Sequence, residues 1–562
     1  MLKKIIFRPF TFVVILLVLI EAIISVLPQQ VFGMLIDTIS SGSAELTKYI
    51  IYPFVKIITQ LTNLPLITQL IILYLLLSLF SLFVSIIRGY CVTYNGERIS
   101  FDIRKKLFSN LIRSNYTYLN TLTSGETTLH LLSDVENVRN LIVSPINGLL
   151  IDLISVFIMV FICFRISAEL SILMLIPIPI VIFNSFSIGN KQIKISTLLR
   201  EHLSNLTSTT INRIKGFLLV KLFAQEKKEE EQYSILLSKY FHQAVKSMKA
   251  TLALFPLTNG VYIIVKIGLL YVGILRVQQQ VLSVGELLVF IQYLGRFYTP
   301  FINIARFYNS IAMSLVSYRR LENTLLETER NKDIIVNDNI PTANYAGLET
   351  QTAIEFDDVT FSYGATDSIP NVINSLSFKV RRGEKVSIVG ESGKGKTTVL
   401  NLIVRLISPQ KGRINFNGID ISEYDTSYLR SKIGYLTQNN IMYNIPLIDN
   451  VRYGVPDKSI EDVITALSQV NMQQYTSSSY LFNTMGEGGE LLSGGEKQRV
   501  AIARLVLCNP DVILLDEPIA NLDIDNAKCV MDLIFHLFSD KTIIITSHQP
   551  LAIAYSTRSI LI

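Results

Sequence analysis

The chain has 562 residues, 49% of them hydrophobic and only 17% charged, with a mean hydropathy of +0.40. This balance is too apolar for an ordinary soluble protein of that length and implies a membrane class. The formal net charge of +6 calls for no nucleic-acid partner, because basic loops on one side of a membrane account for the excess.

In chain order, the apolar residues gather into six blocks near 11–33, 66–87, 143–164, 170–188, 252–275 and 284–311. Each is close to the roughly 20 residues that a helix needs to cross a bilayer. Pro177 and Pro179 are expected to bend the fourth. The first block follows Lys3, Lys4 and Arg8, but it is too long for a signal peptide and lacks a small-residue cleavage site, so it reads as a span.

The segment after the second block carries Arg98, Arg104, Lys105, Lys106 and Arg113, and the one after the fourth carries Lys191, Lys194, Arg200, Lys215 and Lys221. Both are expected to face the cytoplasm, which puts both termini there too. The run EKKEEEQYSILLSKYFHQAVKSMK, from Glu226 to Lys249, has the mixed charge and apolar spacing of a solvated helix. The membrane helices are therefore expected to continue into the cytoplasm. Cys91, Cys163, Cys508 and Cys529 lack metal-ligand spacing and read as free thiols.

A polar stretch, LENTLLETERNKDIIVNDNIPTANYAGLET, follows the sixth block. The expected division is a membrane domain over 1–320, a linker over 321–352 and a second domain over 353–562. From Ala353 onward, short β-rich runs alternate with helix-like segments, the pattern of a mainly parallel α/β domain.

Within that domain, KVSIVGESGKGKTTVLNLI reads as a strand, a loop and a helix start. The loop Gly390, Glu391, Ser392, Gly393, Lys394, Gly395, Lys396, Thr397, Thr398 matches a phosphate loop in residues and in context. Its glycines let backbone N–H groups wrap phosphates, Lys396 supplies charge to the β and γ groups, and the Thr397 hydroxyl suits Mg²⁺. Further on, VILLDEP is an apolar strand that delivers Asp516 and Glu517 at its end. Asp516 suits Mg²⁺ through water, Glu517 can polarise an attacking water, and His548, just after KTIIITS, can contact a γ-phosphate. Alone, a strand-end acid and a single histidine are more often structural; their order after a phosphate loop reverses that.

The stretch LLSGGEKQRV offers one hydroxyl, two glycines and the outward N–H groups of a helix start, which together make an anion receptor. By itself it would be a loop entering a helix. Placed between the phosphate loop and VILLDEP, LSGGEKQR resembles the signature of the ATP-binding cassette family. The resemblance implies an α/β cassette of the phosphate-loop NTPase class behind a polytopic all-α membrane domain of six transmembrane helices. It also implies roles for Tyr363 in FSYG as the adenine-stacking aromatic, Gln438 in YLTQ as the Q-loop residue beside the metal, Asp523 in ANLD as the D-loop residue and His548 as the switch histidine.

The membrane part, in NGERISFDIRKKLFSNLI, SGETTLHLLSDVENV, GFLLVKLFAQE and SVGELLVFIQYL, is similar to exporters with one membrane domain fused to one cassette. The resemblance implies coupling helices near Asn120–Thr128 and Asn212–Lys221 that touch the cassettes. It implies ATP and Mg²⁺ as cofactors and a dimer bound head to tail, where Leu492, Ser493, Gly494, Gly495 and Glu496 of one chain meet the nucleotide held by the other. A homodimer is the simpler expectation, a heterodimer the alternative. The expected setting is a bacterial inner membrane, with the ATPase domain cytoplasmic.

Three positions depart from the family pattern. The chain ends at STRSILI, where relatives continue, so a shortened cassette is expected; Pro446 stands where Ser or Thr is usual; and TMGEGGE is one residue short. A soluble cassette protein is excluded by the apolar blocks. An ATP-gated channel or sensor is the rival reading, against which Glu517 and His548 favour a hydrolytic pump. Before the first span nothing supports processing of a leader peptide, so lipid, drug or peptide export stays open. Glu21, Lys266, Arg296 and Arg306 fall in or near spans, where charges are costly and often functional. Their structural reading is pairing with acids or snorkelling to water; the functional alternative is that Lys266, Arg296 and Arg306, with Phe297, Tyr298, Phe307 and Tyr308, contact an anionic amphiphile.

Overall fold

The computed structural model describes residues 9–40, 48–61, 64–122, 127–128, 130–332, 350–363, 370–391, 393–520 and 522–562. The chain forms two compact units, Met1–Asn110 with Thr123–Glu327, and Leu111–Leu122 with Thr328–Ile562.

The first unit is helical, and all six apolar blocks fall on helices. Among the described residues, Phe10–Ser40, Leu66–Ile112 and Asn259–Gln278 are each long and apolar enough to cross a membrane. At 1.5 Å per residue, Leu66–Ile112 is about 70 Å long, more than twice the apolar thickness of a bilayer. It therefore carries its basic second half well past the membrane. Ile178–Lys215 and Glu226–Leu252 extend in the same way and pack against each other.

The first span is broken into Pro9–Ile24 and Leu27–Ser40. Pro28 has no N–H to return to the preceding turn, so the ladder stops there. Two carbonyls at the break take donors from a later span: Ser25 O accepts from Arg296 Nη1 at 2.6 Å, and Val26 O from the Tyr293 hydroxyl at 2.9 Å. The fourth span breaks between Leu175 and Ile178, at Pro177, and Met174 O accepts from the Tyr298 hydroxyl at 3.2 Å.

Met34, Leu70, Met159, Phe290, Tyr293 and Phe297 fill the core of this unit, while Phe157, Phe183 and Ile264 stand exposed on helix faces that suit lipid. Glu21 and Arg88 form a buried ion pair between the first two spans. Asp37 ties the end of the first span to the start of Val284–Phe297, accepting from the Tyr49 hydroxyl at 2.7 Å, the Ser283 hydroxyl at 2.5 Å and the Gly285 N–H at 2.6 Å. That approach needs glycine, because a Cβ on Gly285 would lie 2.0 Å from the Gly33 carbonyl oxygen.

The second unit holds two sheets. A four-stranded antiparallel sheet, in the order β2-β1-β4-β5, is built from β1 (Thr352–Phe361), β2 (Ile373–Arg381), β4 (Lys411–Phe416) and β5 (Ile419–Asp420). A five-stranded parallel sheet, in the order β6-β7-β8-β3-β9, is built from β3 (Lys385–Val389), β6 (Ile433–Leu436), β7 (Val512–Asp516), β8 (Thr542–Thr546) and β9 (Arg558–Leu561). β7 and β8 are buried at every position, as expected of central strands covered by helices on both faces.

The short helix Tyr116–Thr121 belongs to this unit. Asn115 caps it, accepting from Tyr118 N at 2.8 Å, and the Asn115 N–H donates to Asn331 O at 2.7 Å. Tyr116 packs against the core formed by both sheets. In the first unit, the short helix Phe217–Leu222 presents Phe217, Leu218, Leu219 and Leu222 to solvent. Of the segments expected to couple the domains, residues 123–126 lie outside those described.

Candidate functional site: a phosphate loop at a parallel strand edge

β7, β8 and β3 are adjacent and parallel, so the loops that leave their C-terminal ends gather at one edge of the sheet. β3 feeds the phosphate loop, and the helix Lys396–Ile403 starts at Lys396. Gly395 caps that helix with φ +92°, where a Cβ would also come within 2.8 Å of the Val372 and Ile373 side chains. Lys396 is buried, and its Nζ donates to the loop carbonyls of Gly390 at 2.9 Å and Glu391 at 3.1 Å. Ser392 lies outside the described residues.

Asp516 ends β7 and is 4% exposed. Its Oδ1 accepts from the Thr397 hydroxyl at 3.1 Å and the Thr546 hydroxyl at 2.7 Å, and its Oδ2 from the Tyr435 hydroxyl at 3.4 Å. Glu517 follows with φ +46°, a left-handed conformation that a non-glycine residue keeps only when its surroundings enforce it. The Glu517 N–H donates to Thr546 O at 2.9 Å, which pins the turn. The turn aims the carboxylate between Gln438, whose Nε2 donates to Oε2 at 3.2 Å, and His548, whose Nδ1 lies 3.3 Å from Oε1. A cavity of about 300 Å³ opens beside Gln438 and Glu517, with Gly494, Lys497 and Gln498 on its wall.

Thr397, Asp516 and Gln438 bring a hydroxyl, a carboxylate and an amide to this edge. That set of hard oxygen donors fits Mg²⁺ when phosphate oxygens and water complete the shell. Among the described residues no cluster of three or more His, Cys, Asp or Glu could hold a metal by itself.

The signature forms a helix start. Ser493 caps Gly494–Cys508 in a reciprocal box with Glu496, its N–H donating to Glu496 Oε2 at 2.8 Å and its hydroxyl to the same oxygen at 2.7 Å. The Tyr475 hydroxyl donates to Glu496 Oε1 at 2.7 Å. Burial pulls the Glu496 carboxyl upward, but the hydrogen bonds from Tyr475 and Ser493 outweigh it and hold it below its ordinary value. Leu492 is buried in the helical core. A Cβ on Gly494 or Gly495 would meet no atom within 4 Å, so this face of the helix start lies open. Asp523 stands at the N-cap position of the helix Ile524–Leu537 without a cap bond from its side chain, and Asn526 Nδ2 donates to its Oδ1 at 2.6 Å.

Tyr363 is exposed, rests edge-on against Phe361 and meets the Thr398 hydroxyl at 3.2 Å. At Pro446, the helix Leu447–Val451 starts without a side-chain cap. Asn450 bonds the preceding loop instead, donating from Nδ2 to Tyr443 O at 2.9 Å and Ile445 O at 3.1 Å.

Sequence reasoning passed over Thr546, Tyr435 and Tyr475. Thr546 had a signal, a polar residue closing the apolar run IIIT on a central strand; Tyr435 and Tyr475 had none, since each meets its carboxylate across a long stretch of chain.

In the membrane unit the expected aromatic contacts need correction. Phe297 and Tyr298 are buried in the unit's own core, so neither offers a face to a substrate. The inward face of this helix is set by its packing on Leu27–Ser40, which its sequence does not encode alone. Arg296 is engaged at the break in the first span, and Lys266 Nζ sits 5.9 Å from the centre of the Tyr262 ring. Arg306 lies on the helix Thr299–Arg330, beyond a turn at Tyr298, and the Arg306 and Tyr308 side chains lie outside those described.

Two family profiles match this chain: that of the ABC transporter transmembrane region over residues 11–301, and that of the ABC transporter over residues 373–520. A putative multidrug export ATP-binding/permease protein of Bacillus subtilis is 26% identical over 84% of this chain and 80% of its own length. An ATP-dependent lipid A-core flippase of Desulfotalea psychrophila is 27% identical over 83% of this chain and 80% of its length. A mitochondrial potassium channel ATP-binding subunit of Xenopus tropicalis is 30% identical over 82% of this chain and 66% of its length. The structure of a bacterial Atm1-family ABC exporter with ATP bound shares the fold, with a TM-score of 0.75 and 22% identity over 99% of this chain and 93% of that one. With a helical membrane domain and a phosphate-loop cassette in one polypeptide, the chain belongs to the ATP-binding cassette transporter family, as an exporter-type half-transporter that couples ATP hydrolysis to transport.

Proposed function

We propose that two copies of the chain pair head to tail and hydrolyse ATP at two sites, each made from the phosphate loop of one copy and the Ser493–Glu496 signature of the other. The cycle exports, or moves between leaflets, a hydrophobic or amphiphilic substrate. The observation that carries this reading is the meeting of Gln438 and His548 on Glu517, next to Asp516 and Thr397, at the strand edge that bears the phosphate loop. The open face at Gly494 and Gly495 supports the shared site, since it leaves room for a group this chain does not supply.

Thr397, Asp516 and Gln438 would hold Mg²⁺, which neutralises charge on the β- and γ-phosphates when bound. Lys396 and the loop N–H groups bind the phosphates, and Tyr363 stacks on the adenine. Glu517 orients the attacking water and takes its proton, while His548 holds the Glu517 carboxylate and faces the γ-phosphate. Asp523, at the head of its helix, stands where the two cassettes meet. Loss of the γ-phosphate removes the contact with the partner's signature, and that differential contact lets hydrolysis drive two membrane states.

The segments near Asn120–Thr128 and Asn212–Lys221, which overlap the helices Tyr116–Thr121 and Phe217–Leu222, serve as the coupling segments. The basic loops and the bacterial relatives support a bacterial inner membrane with the cassette on the cytoplasmic side. The relatives named for multidrug export and for lipid A-core flipping support a lipid- or drug-like substrate. The relative named as a channel subunit keeps an ATP-gated reading in view, and the contact of Glu517 with His548 favours turnover over gating.

The test mixes differently tagged chains carrying Lys396→Ala or Ser493→Arg. Neither homodimer has an intact site. A shared site predicts one intact site in the mixed dimer, read as vanadate-trapped nucleotide above both homodimers. Trapping no higher than in either homodimer, with nucleotide bound at the surviving phosphate loop, would reject the shared site.

A further inference from the structure

Asp516 is oriented from two sides. Thr397 and Thr546 donate to Oδ1, and the Tyr435 hydroxyl lies 3.4 Å from Oδ2 and 3.3 Å from Asn401 Oδ1. Tyr435 sits on β6, the strand next to β7, in register with Leu514, so its ring leans along the sheet toward the end of β7.

We infer that Tyr435 is a positioning residue for Asp516. The inference rests on the reading of Asp516 as a metal-binding group. Two hydroxyls on Oδ1, with the Tyr435 hydroxyl shared between Oδ2 and Asn401 Oδ1, restrict the rotation of the carboxylate and favour one lone-pair direction toward a metal or its water. Partners of this outer kind commonly change metal affinity by about 10- to 100-fold. Here the single long hydrogen bond argues for the lower end.

The test uses the full-length protein in nanodiscs with a non-hydrolysable ATP analogue, and reads Mn²⁺ affinity by electron paramagnetic resonance. Tyr435→Phe keeps the ring and its packing. It should weaken Mn²⁺ binding roughly tenfold, while nucleotide affinity in EDTA stays within twofold of wild type. Asp516→Asn separates the two layers of the argument. If Asp516→Asn abolishes Mn²⁺ binding and Tyr435→Phe leaves it unchanged, the positioning role is overturned while the metal assignment stands. If Asp516→Asn also leaves it unchanged, the metal assignment falls and the inference with it.

Discussion

Replacing Glu517 by glutamine keeps the volume of the side chain and removes its capacity to accept a proton. One carboxylate oxygen takes Gln438 Nε2 at 3.2 Å and the other faces His548 Nδ1 at 3.3 Å, so an amide keeps one acceptor and turns an NH₂ toward the other neighbour. The contacts of Lys396, Thr397 and Asp516 do not involve Glu517, so ATP binding should survive. A positioned base contributes about 10²- to 10⁴-fold in rate, which corresponds to roughly 2.7–5.5 kcal/mol of barrier. Turnover in Glu517→Gln should therefore fall at least about a hundredfold, with ATP-bound, closed dimers accumulating. The assay pairs steady-state phosphate release with retention of radiolabelled ATP after rapid gel filtration. Glu517→Gly is a useful companion, because it relieves the left-handed strain at φ +46° by on the order of 1 kcal/mol yet has no base. It should be equally inactive without losing thermal stability. A Glu517→Gln rate within about tenfold of wild type would refute the assignment of Glu517 as the base.

Four further outcomes follow from the geometry. Pro446→Ser should supply the missing cap on Leu447–Val451 and stabilise the cassette by about 1 kcal/mol, a rise of about 2–4 °C in melting temperature. An unchanged or lower melting temperature would count against it. Glu21→Gln should destabilise the membrane domain by about 3–5 kcal/mol, because Arg88 keeps its buried charge; Glu21→Leu with Arg88→Met should recover most of the loss in detergent melts. Glu496 has a lowered folded value, so its stabilising contribution is present above its unfolded pKa and fades as pH falls through the folded one. The melting temperature of Tyr475→Phe should accordingly lie below wild type near neutral pH and converge with it under acid conditions. Among lipids, peptides and cationic drugs screened for ATPase stimulation in liposomes, amphiphiles should stimulate, and an anionic preference that Lys266→Ala leaves intact would remove Lys266 from the substrate path.

Some features of this protein were legible because they are local in the chain. The phosphate loop is one continuous strand–loop–helix, so KVSIVGESGKGKTTVLNLI carries its own geometry, and the apolar blocks need only their length to declare a membrane. The break at Pro177 was also readable, since a missing N–H acts on its own helix. What the sequence left open depends on partners far along the chain. Tyr435 meets Asp516 across 81 residues, Thr546 meets it across 30, and Arg296 reaches the Ser25 carbonyl across 271. No residue pattern states that an exposed-looking arginine in a span will donate to a carbonyl at a break in another. The same holds for Phe297 and Tyr298: an aromatic pair beside a basic residue is compatible with either face of a helix, and packing against Leu27–Ser40 and the fourth span decided that both turn inward. Residue types fix which chemistry is available, because each side chain brings its own donors, charge and volume. Only the folded chain decides which of those groups meet, because that depends on which surfaces are buried together.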